Sequence, residues 1–359
     1  MKATMLVKGI AAVLLTAALL AGCGSSGADI SGAARTVNVA VIVDRLGDMA
    51  YNDGIVNGLF AAEERYRGIP GIELTVNVFS AHDSTRNERE ELEAALRGDS
   101  EIIFIPNQNT LPMLEPAAAN YPDKNFVFID VETTGLNIYS AIFKPNEAAY
   151  LCGYLAAKMT KTGIIGVVIG VDALSLHDFC VGYIIGALAA DPDCKVTISV
   201  VGDFYDTETA YKQSAAQFER GVDVIFNVAG SAGLGIVQAA SDFGRYAIGV
   251  DIDQAAYMPP ELAEAILTSC LKNFDVLAAL TLDKYLAGEL EFGKTGWYGL
   301  KEGAVGIAKN QNYMDMVPRE ITSEIDEQEV LVRNGVINVP SAYRMTAAEI
   351  EELFRSVRP

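Results

Sequence analysis

The densest group of polar side chains closes an apolar run. Gly249-Val250-Asp251-Ile252-Asp253-Gln254 sets two carboxylates and an amide within four residues. Carboxylates accept hydrogen bonds from hydroxyl and N–H groups, and a pair of them can also divide into acid and base. Residues i and i+2 share a face only where a strand continues through both. Asp130 closes another apolar run, and Lys272 closes a third, where it could reach an acceptor or neutralise the acids. The loop Asp44 to Gly54 carries Asp48, Tyr51 and Asn52; a tyrosine offers a flat π-face, an asparagine both a donor and an acceptor. Asn52 or Asp53 could equally be only a helix N-cap. Gly230 stands among the small residues 229–235, which would let a backbone approach a ligand closely, although tight helix–sheet packing uses glycines too. No nucleophile with a supporting base emerges. The two histidines, His82 and His177, lie in no G-x-S-x-G elbow, and there is no Walker-type phosphate loop. Acids that hold ligand hydroxyls are the expected chemistry; an enzyme is not expected, nor is a cofactor or metal.

These residues need elements to aim them. Apolar strands are expected at 37–43, 74–79, 101–105 and 125–130, with helices at 53–66, 86–96 and 111–121 between them. The alternation restarts with a helix at 147–159. Strands follow at 163–170, 195–201, 222–228, 246–251, 265–271 and 303–308. Helices are expected at 178–190, 206–220, 234–243 and 275–286, and near the end at 323–332 and 346–354. Strand–helix alternation implies parallel sheets covered by helices, and the restart implies two Rossmann-like α/β lobes. In open parallel sheets ligands bind outside the carboxyl ends of the strands, where the polar residues above fall.

Half of the residues are apolar and 21% are charged, so the chain is globular. It is too long for one typical core. A net charge of −20 disfavours nucleic acid, anionic lipid and nucleotides as partners and leaves neutral ligands open. Lys2 and Lys8 precede an uncharged run from Ile10 to Ala21, too short to span a bilayer of about 20 residues and suited to a signal-peptide core. Leu20-Ala21-Gly22-Cys23 closes it and resembles a bacterial lipobox. Residues 1–22 are then a signal peptide, Cys23 the lipidated N-terminus, and 23–35 a flexible tether. The expected location is the extracytoplasmic face of the cell membrane. Cys152, Cys180, Cys194 and Cys270 match no metal or redox spacing; buried free thiols are favoured over pairing.

Several motifs occur together in order. They are Asp48-Met49-Ala50-Tyr51-Asn52 with Gly58-Leu59, Tyr121-Pro122 with Phe126 to Asp130, and Gly163 to Gly166 with Phe179, Gly182 and Gly186. Ala229-Gly230 with Gly233-Leu234-Gly235, the Gly249 to Gln254 run, Thr268-Ser269 with Lys272, and Tyr298-Gly299-Leu300 complete the set. Over residues 37 to 310 the chain resembles the basic membrane protein family of lipoproteins, the PnrA-like nucleoside-binding components of ABC importers.

The resemblance implies a type I periplasmic-binding fold: two lobes with parallel sheets, three crossovers, and a ligand in the cleft. It divides the chain into a first lobe of 36–145 with 264–295, a second of 146–263 with 296–330, and a terminal segment, 331–359, packed on the lobes. It implies that Tyr51 and Phe179 sandwich a base, the purine class preferred. Asn52, Asp48, Asp130, Asp251 and Asp253 then bind base or ribose, Lys272 donates into the same network, and Gly230 gives backbone access. Asn107 adds a polar contact in a loop where many members carry a Gly/Phe-rich turn, and Met49 and Ala50 replace the family's frequent Lys and its Ser. The function so implied is capture of a nucleoside by a monomeric, lipid-anchored receptor and delivery to a permease with its ATPase. A surface receptor or regulator without transport is the alternative, and a nucleoside or sugar hydrolase a more distant one.

Overall fold

A computed structural model describes residues 35–81, 88–106 and 111–359. The leader, the tether from Cys23 to residue 34, and Asn107 lie outside the described residues; Arg35, expected as the tether's last residue, opens the first strand. The first part of the chain runs β1 (Arg35–Val43), α1 (Tyr51–Tyr66), β2 (Ile72–Ser80), α2 (Glu88–Arg97), β3 (Ile102–Ile105), α3 (Leu111–Asn120), β4 (Asn125–Ile129) and β5 (Ile138–Phe143). Strands β3 to β5 are buried almost throughout, as apolar runs covered on both faces must be. The second part runs α4 (Pro145–Met159), β6 (Ile164–Ile169), α5 (Leu174–Ala190), β7 (Lys195–Val200), α6 (Thr207–Glu219), β8 (Val224–Val228), α7 (Gly233–Asp242), β9 (Tyr246–Asp251), α8 (Pro260–Ala263) and β10 (Ile266–Lys272). Then come α9 (Phe274–Ala287), β11 (Thr295–Tyr298), β12 (Val305–Ile307), α10 (Gln311–Met316), α11 (Arg319–Arg333) and α12 (Ala347–Ser356).

Two six-stranded sheets result, in the orders β11-β5-β4-β3-β1-β2 and β12-β10-β9-β8-β6-β7. All pairings are parallel except β10 with β12. The chain passes between the sheets after β5, after β10 and after β11, so three segments cross.

The lobe boundaries differ from the expected ones. Residues 264–295 are expected in the first lobe, yet β10 pairs with β9 in the second sheet. The segment 296–330 is expected in the second lobe, yet β11 pairs with β5 in the first. Pairing partner decides lobe membership, and nothing local in either segment records it. Strands β5 and β11 were not expected at all.

The helices α4 and α5 cross where small residues let their backbones meet. A Cβ on Gly153 would lie 1.9 Å from the Tyr183 carbonyl oxygen, and one on Gly186 1.9 Å from that of Tyr150. This crossing fixes α5, whose first turns face the cleft, against the second sheet.

Candidate functional site

The carboxyl ends of both sheets surround a cavity of about 240 Å³. This is a little below the about 300–1,000 Å³ usual for small-molecule sites. The first lobe contributes Asp44, Asp48, Tyr51, Asn52, Pro106 and Asp130. The second contributes Ser175, Leu176 and Phe179 from the start of α5, Phe204 and Tyr205 after β7, Gly230, and the strand ends Asp251 and Lys272.

Lys272 sits at the centre. Its Nζ is 2.6 Å from Asp130 Oδ2 and 3.9 Å from Asp251 Oδ1, with all three side chains buried. The ammonium also lies over the rings of Tyr51 at 4.8 Å, Phe179 at 5.1 Å and Phe143 at 5.5 Å. Burial opposes its charge, but the Asp130 and Asp251 carboxylates outweigh that and hold its pKa above the ordinary lysine value.

Asp130 is held at every polar atom. Its N–H donates to Ala141 O at 3.1 Å, and its carbonyl accepts from Tyr343 Oη at 3.0 Å. Oδ1 accepts from Phe143 N at 3.0 Å and Oδ2 from Lys272. Asp251 differs, since its carboxylate accepts no hydrogen bond from a described residue and has only the Lys272 ammonium, 3.9 Å away, as an ion-pair partner. Burial pushes its carboxyl up to about 7; Lys272 opposes the shift, and Asp48 and Asp130 add to it. Both acids adopt left-handed backbone, φ 60° at Asp130 and 65° at Asp251. Such strain in non-glycine residues is retained where the surroundings over-determine it, often at binding sites.

Asp48 lines the cavity but is largely occupied. It accepts from the backbone N–H groups of Ala50, Asn52 and Asp53 at 2.8–3.1 Å, and from Asn52 Nδ2 at 3.0 Å. It thereby satisfies the open start of α1, the capping role expected of Asn52 or Asp53. A carboxylate only accepts, so the Asn52 amide must turn its NH₂ toward Asp48, leaving its carbonyl oxygen for a ligand. Asp53 in turn accepts from Gly47 N and Met49 N, which fixes the loop.

Asp253 does not line the cavity, contrary to expectation. Strand β9 ends at Asp251, whose left-handed φ breaks the alternation, and the Asp253 carboxylate accepts instead from Asn310 Nδ2 at 2.7 Å. Phe179 is 3% exposed and packs edge-on against Phe226 at 6.1 Å, with Lys272 on another side. The expected sandwich of Tyr51 and Phe179 is thus filled by the Lys272 ammonium. Asp44 opens the loop expected after β1 but is not among the expected site residues, and Ser175, Leu176, Phe204 and Tyr205 line the cavity unexpectedly. Phe204 and Tyr205 follow β7 in a loop, where the strand-end rule points to them. Tyr205 donates through its hydroxyl to Asp44 across the cleft, and the Arg45 guanidinium stacks over its ring at 4.3 Å. A Cβ on Gly230 would make only ordinary contact with the Phe204 ring, at 3.4 Å, so it is the left-handed φ of +58° that favours glycine there.

No group of His, Cys, Asp and Glu among the described residues could hold a metal ion. Cys152, Cys180, Cys194 and Cys270 are buried free thiols. No described helix is long and apolar enough to cross a membrane.

Two α/β lobes joined by three crossing segments, with a cavity at their facing strand ends, define a two-lobed substrate-binding protein. The family model described as ABC transporter substrate-binding protein PnrA-like matches residues 36–342. Basic membrane protein A of Borreliella burgdorferi is 30% identical over 328 residues, 89% of this chain and 91% of that protein. The ABC transporter nucleoside-binding protein BmpA of Lactococcus lactis subsp. cremoris is 30% identical over 350 residues, 92% of this chain and 97% of that protein. A solved ABC transporter solute-binding protein from Aeropyrum pernix K1 superposes with a TM-score of 0.72 at 22% identity, covering 89% of this chain and 97% of that one.

The chain belongs to the PnrA-like (Bmp) family of ABC transporter substrate-binding proteins. Its fold is the type I periplasmic-binding-protein fold. It is a binding protein and not an enzyme, and it serves a membrane permease from outside the cytoplasm.

Proposed function

We propose that the cleft captures a nucleoside, the purine class preferred, and that the protein, anchored to the membrane through lipid on Cys23, delivers it to its permease. The observation that carries this reading is Asp251. It is a buried carboxylate in strained backbone, with no donor from a described residue, set beside an aromatic wall. Such a group has desolvation left to recover, and a ligand hydroxyl or N–H recovers it. Ribose supplies adjacent hydroxyls, and Asn52 offers a further acceptor on the opposite lobe. The base stacks on the aromatic wall, where partly exposed Phe204 presents a more accessible face than buried Phe179. Stacking contributes about 1–3 kcal/mol per base in other base-binding proteins. Asp44, Asp48, Asp130 and Asp251 surround one cation that is already paired, so a phosphate would meet net negative charge. The Lactococcus lactis relative's description as nucleoside-binding supports the same reading.

Because ligand contacts come from both lobes, ligand favours the closed arrangement over the open one by differential affinity. Calorimetry on refolded, ligand-stripped protein is the test. Adenosine, guanosine and inosine should each give heat with one site per chain, and their 5′-monophosphates none. No heat with any nucleoside would overturn the reading.

A further inference from the structure

The C-terminal strap, residues 334–357, leaves α11 on the second lobe and reaches the hinge. The Asp178 carboxylate on α5 accepts from Ser341 Oγ and from Ala342 N, both at 2.7 Å. Asn146, just after the first crossing, donates through Nδ2 to the carbonyls of Val339 and Pro340 at 3.0 Å each. Beyond these anchors Tyr343 turns to the first lobe. Its ring meets Trp297 of β11 edge-on at 5.6 Å, with Arg344 over the same indole at 4.9 Å. Its hydroxyl donates to the carbonyl of Asp130 at 3.0 Å. Residue 343 lies one position beyond the stretch that the family model matches.

We infer that Tyr343 is a positioning residue for the substrate site: its hydroxyl holds the left-handed Asp130, and through Asp130 it aims Lys272 and the carboxylate cluster at the cavity. Asp130 has φ 60°, a conformation that costs a non-glycine residue free energy and persists only while its surroundings impose it. The partners that impose it are Ala141 O, Phe143 N and Lys272 from the two sheets, and Tyr343 from the strap. Losing the Tyr343 bond frees the peptide to relax. The carboxylate then shifts away from the Phe143 amide and from the ammonium. The strap is fastened to the second lobe, so this bond also ties the site's geometry to the angle between lobes. The inference rests on the proposed function only where it concerns ligand affinity.

The test is Tyr343→Phe, which deletes the hydroxyl and keeps the ring against Trp297. Amide hydrogen exchange is followed at Phe143, which donates to Asp130, and at Ile165 in the distant β6, alongside calorimetric titration with adenosine. Protection at Phe143 should fall about two- to tenfold, Ile165 should be unchanged, and the Kd for adenosine should rise by a similar factor. Unchanged exchange at Phe143, or equal acceleration at Phe143 and Ile165, would overturn the inference. If the unsubstituted protein binds no adenosine, the nucleoside reading fails on its own, and exchange at Phe143 still decides the role of Tyr343.

Discussion

Asp251→Asn should stabilise the ligand-stripped protein at high pH while weakening it as a receptor. The Asp251 carboxyl is pushed from 3.8 up to about 7, chiefly by burial. Its folded pKa therefore lies above its unfolded one, and between those values the folded state binds more protons. Stability falls as pH rises through that window. The penalty is absent below about pH 4 and fully present above about pH 7, where it amounts to about 4 kcal/mol. Asparagine removes this term but brings an amide whose donors lack partners, at a cost of about 1–3 kcal/mol. The variant should then lose stability relative to the parent at about pH 4.5 and gain about 1–3 kcal/mol at about pH 8, so the difference changes sign. Loss of a charge-assisted bond to ligand, about 1.5–3 kcal/mol, should lower affinity about 10- to 150-fold. Urea melts followed by circular dichroism across pH 4.5–8 read the first effect, and calorimetry the second. A stability difference that stays constant with pH would refute the reasoning, because the carboxyl would then not be raised by folding.

Other consequences follow from the same geometry. Tyr205→Phe deletes the bond to Asp44 across the cleft, so ligand release measured by stopped flow should speed up about tenfold or more with little loss of stability; an unchanged rate would show that this contact does not hold the lobes closed. Gly186→Ala drives a Cβ into the Tyr150 backbone and should cost at least about 3 kcal/mol in urea melts; a cost below about 1 kcal/mol would mean that α4 and α5 do not cross so closely. Cys23→Ala should release the protein from membranes while ligand affinity stays the same, and retention in the membrane fraction would argue against the lipid anchor.

The fold was legible where apolar runs are long and bounded by turn residues, as in β1, β6 and β9. Ile138–Phe143 is equally apolar and fully buried, but it lies between Asp130 and a helix, α4, that is itself buried almost all round, so no change of period marks it off. Thr295–Tyr298 is only four residues with a glycine inside, too short for any period to show. Lobe membership of β10 and β11 depends on pairing at long range, which local pattern does not carry. In the site, Asp130, Asp251 and Lys272 could be found because each terminates an apolar strand. Asp253 lies off the cavity because strand β9 ends at Asp251, whose left-handed φ breaks the strand's alternation. Phe204 and Tyr205 sit in a loop without periodicity. Tyr343 is brought to the site from 213 residues away in sequence, and only the folded chain brings it to Asp130.

The cleft is proposed to hold a nucleoside. Native purification followed by denaturation and mass spectrometry of whatever is released tests it most directly. The expected release is an unphosphorylated purine nucleoside approaching one molecule per chain, and less of it from the Asp251→Asn variant. Release of a hexose, an amino acid or a nucleotide in that amount would contradict it.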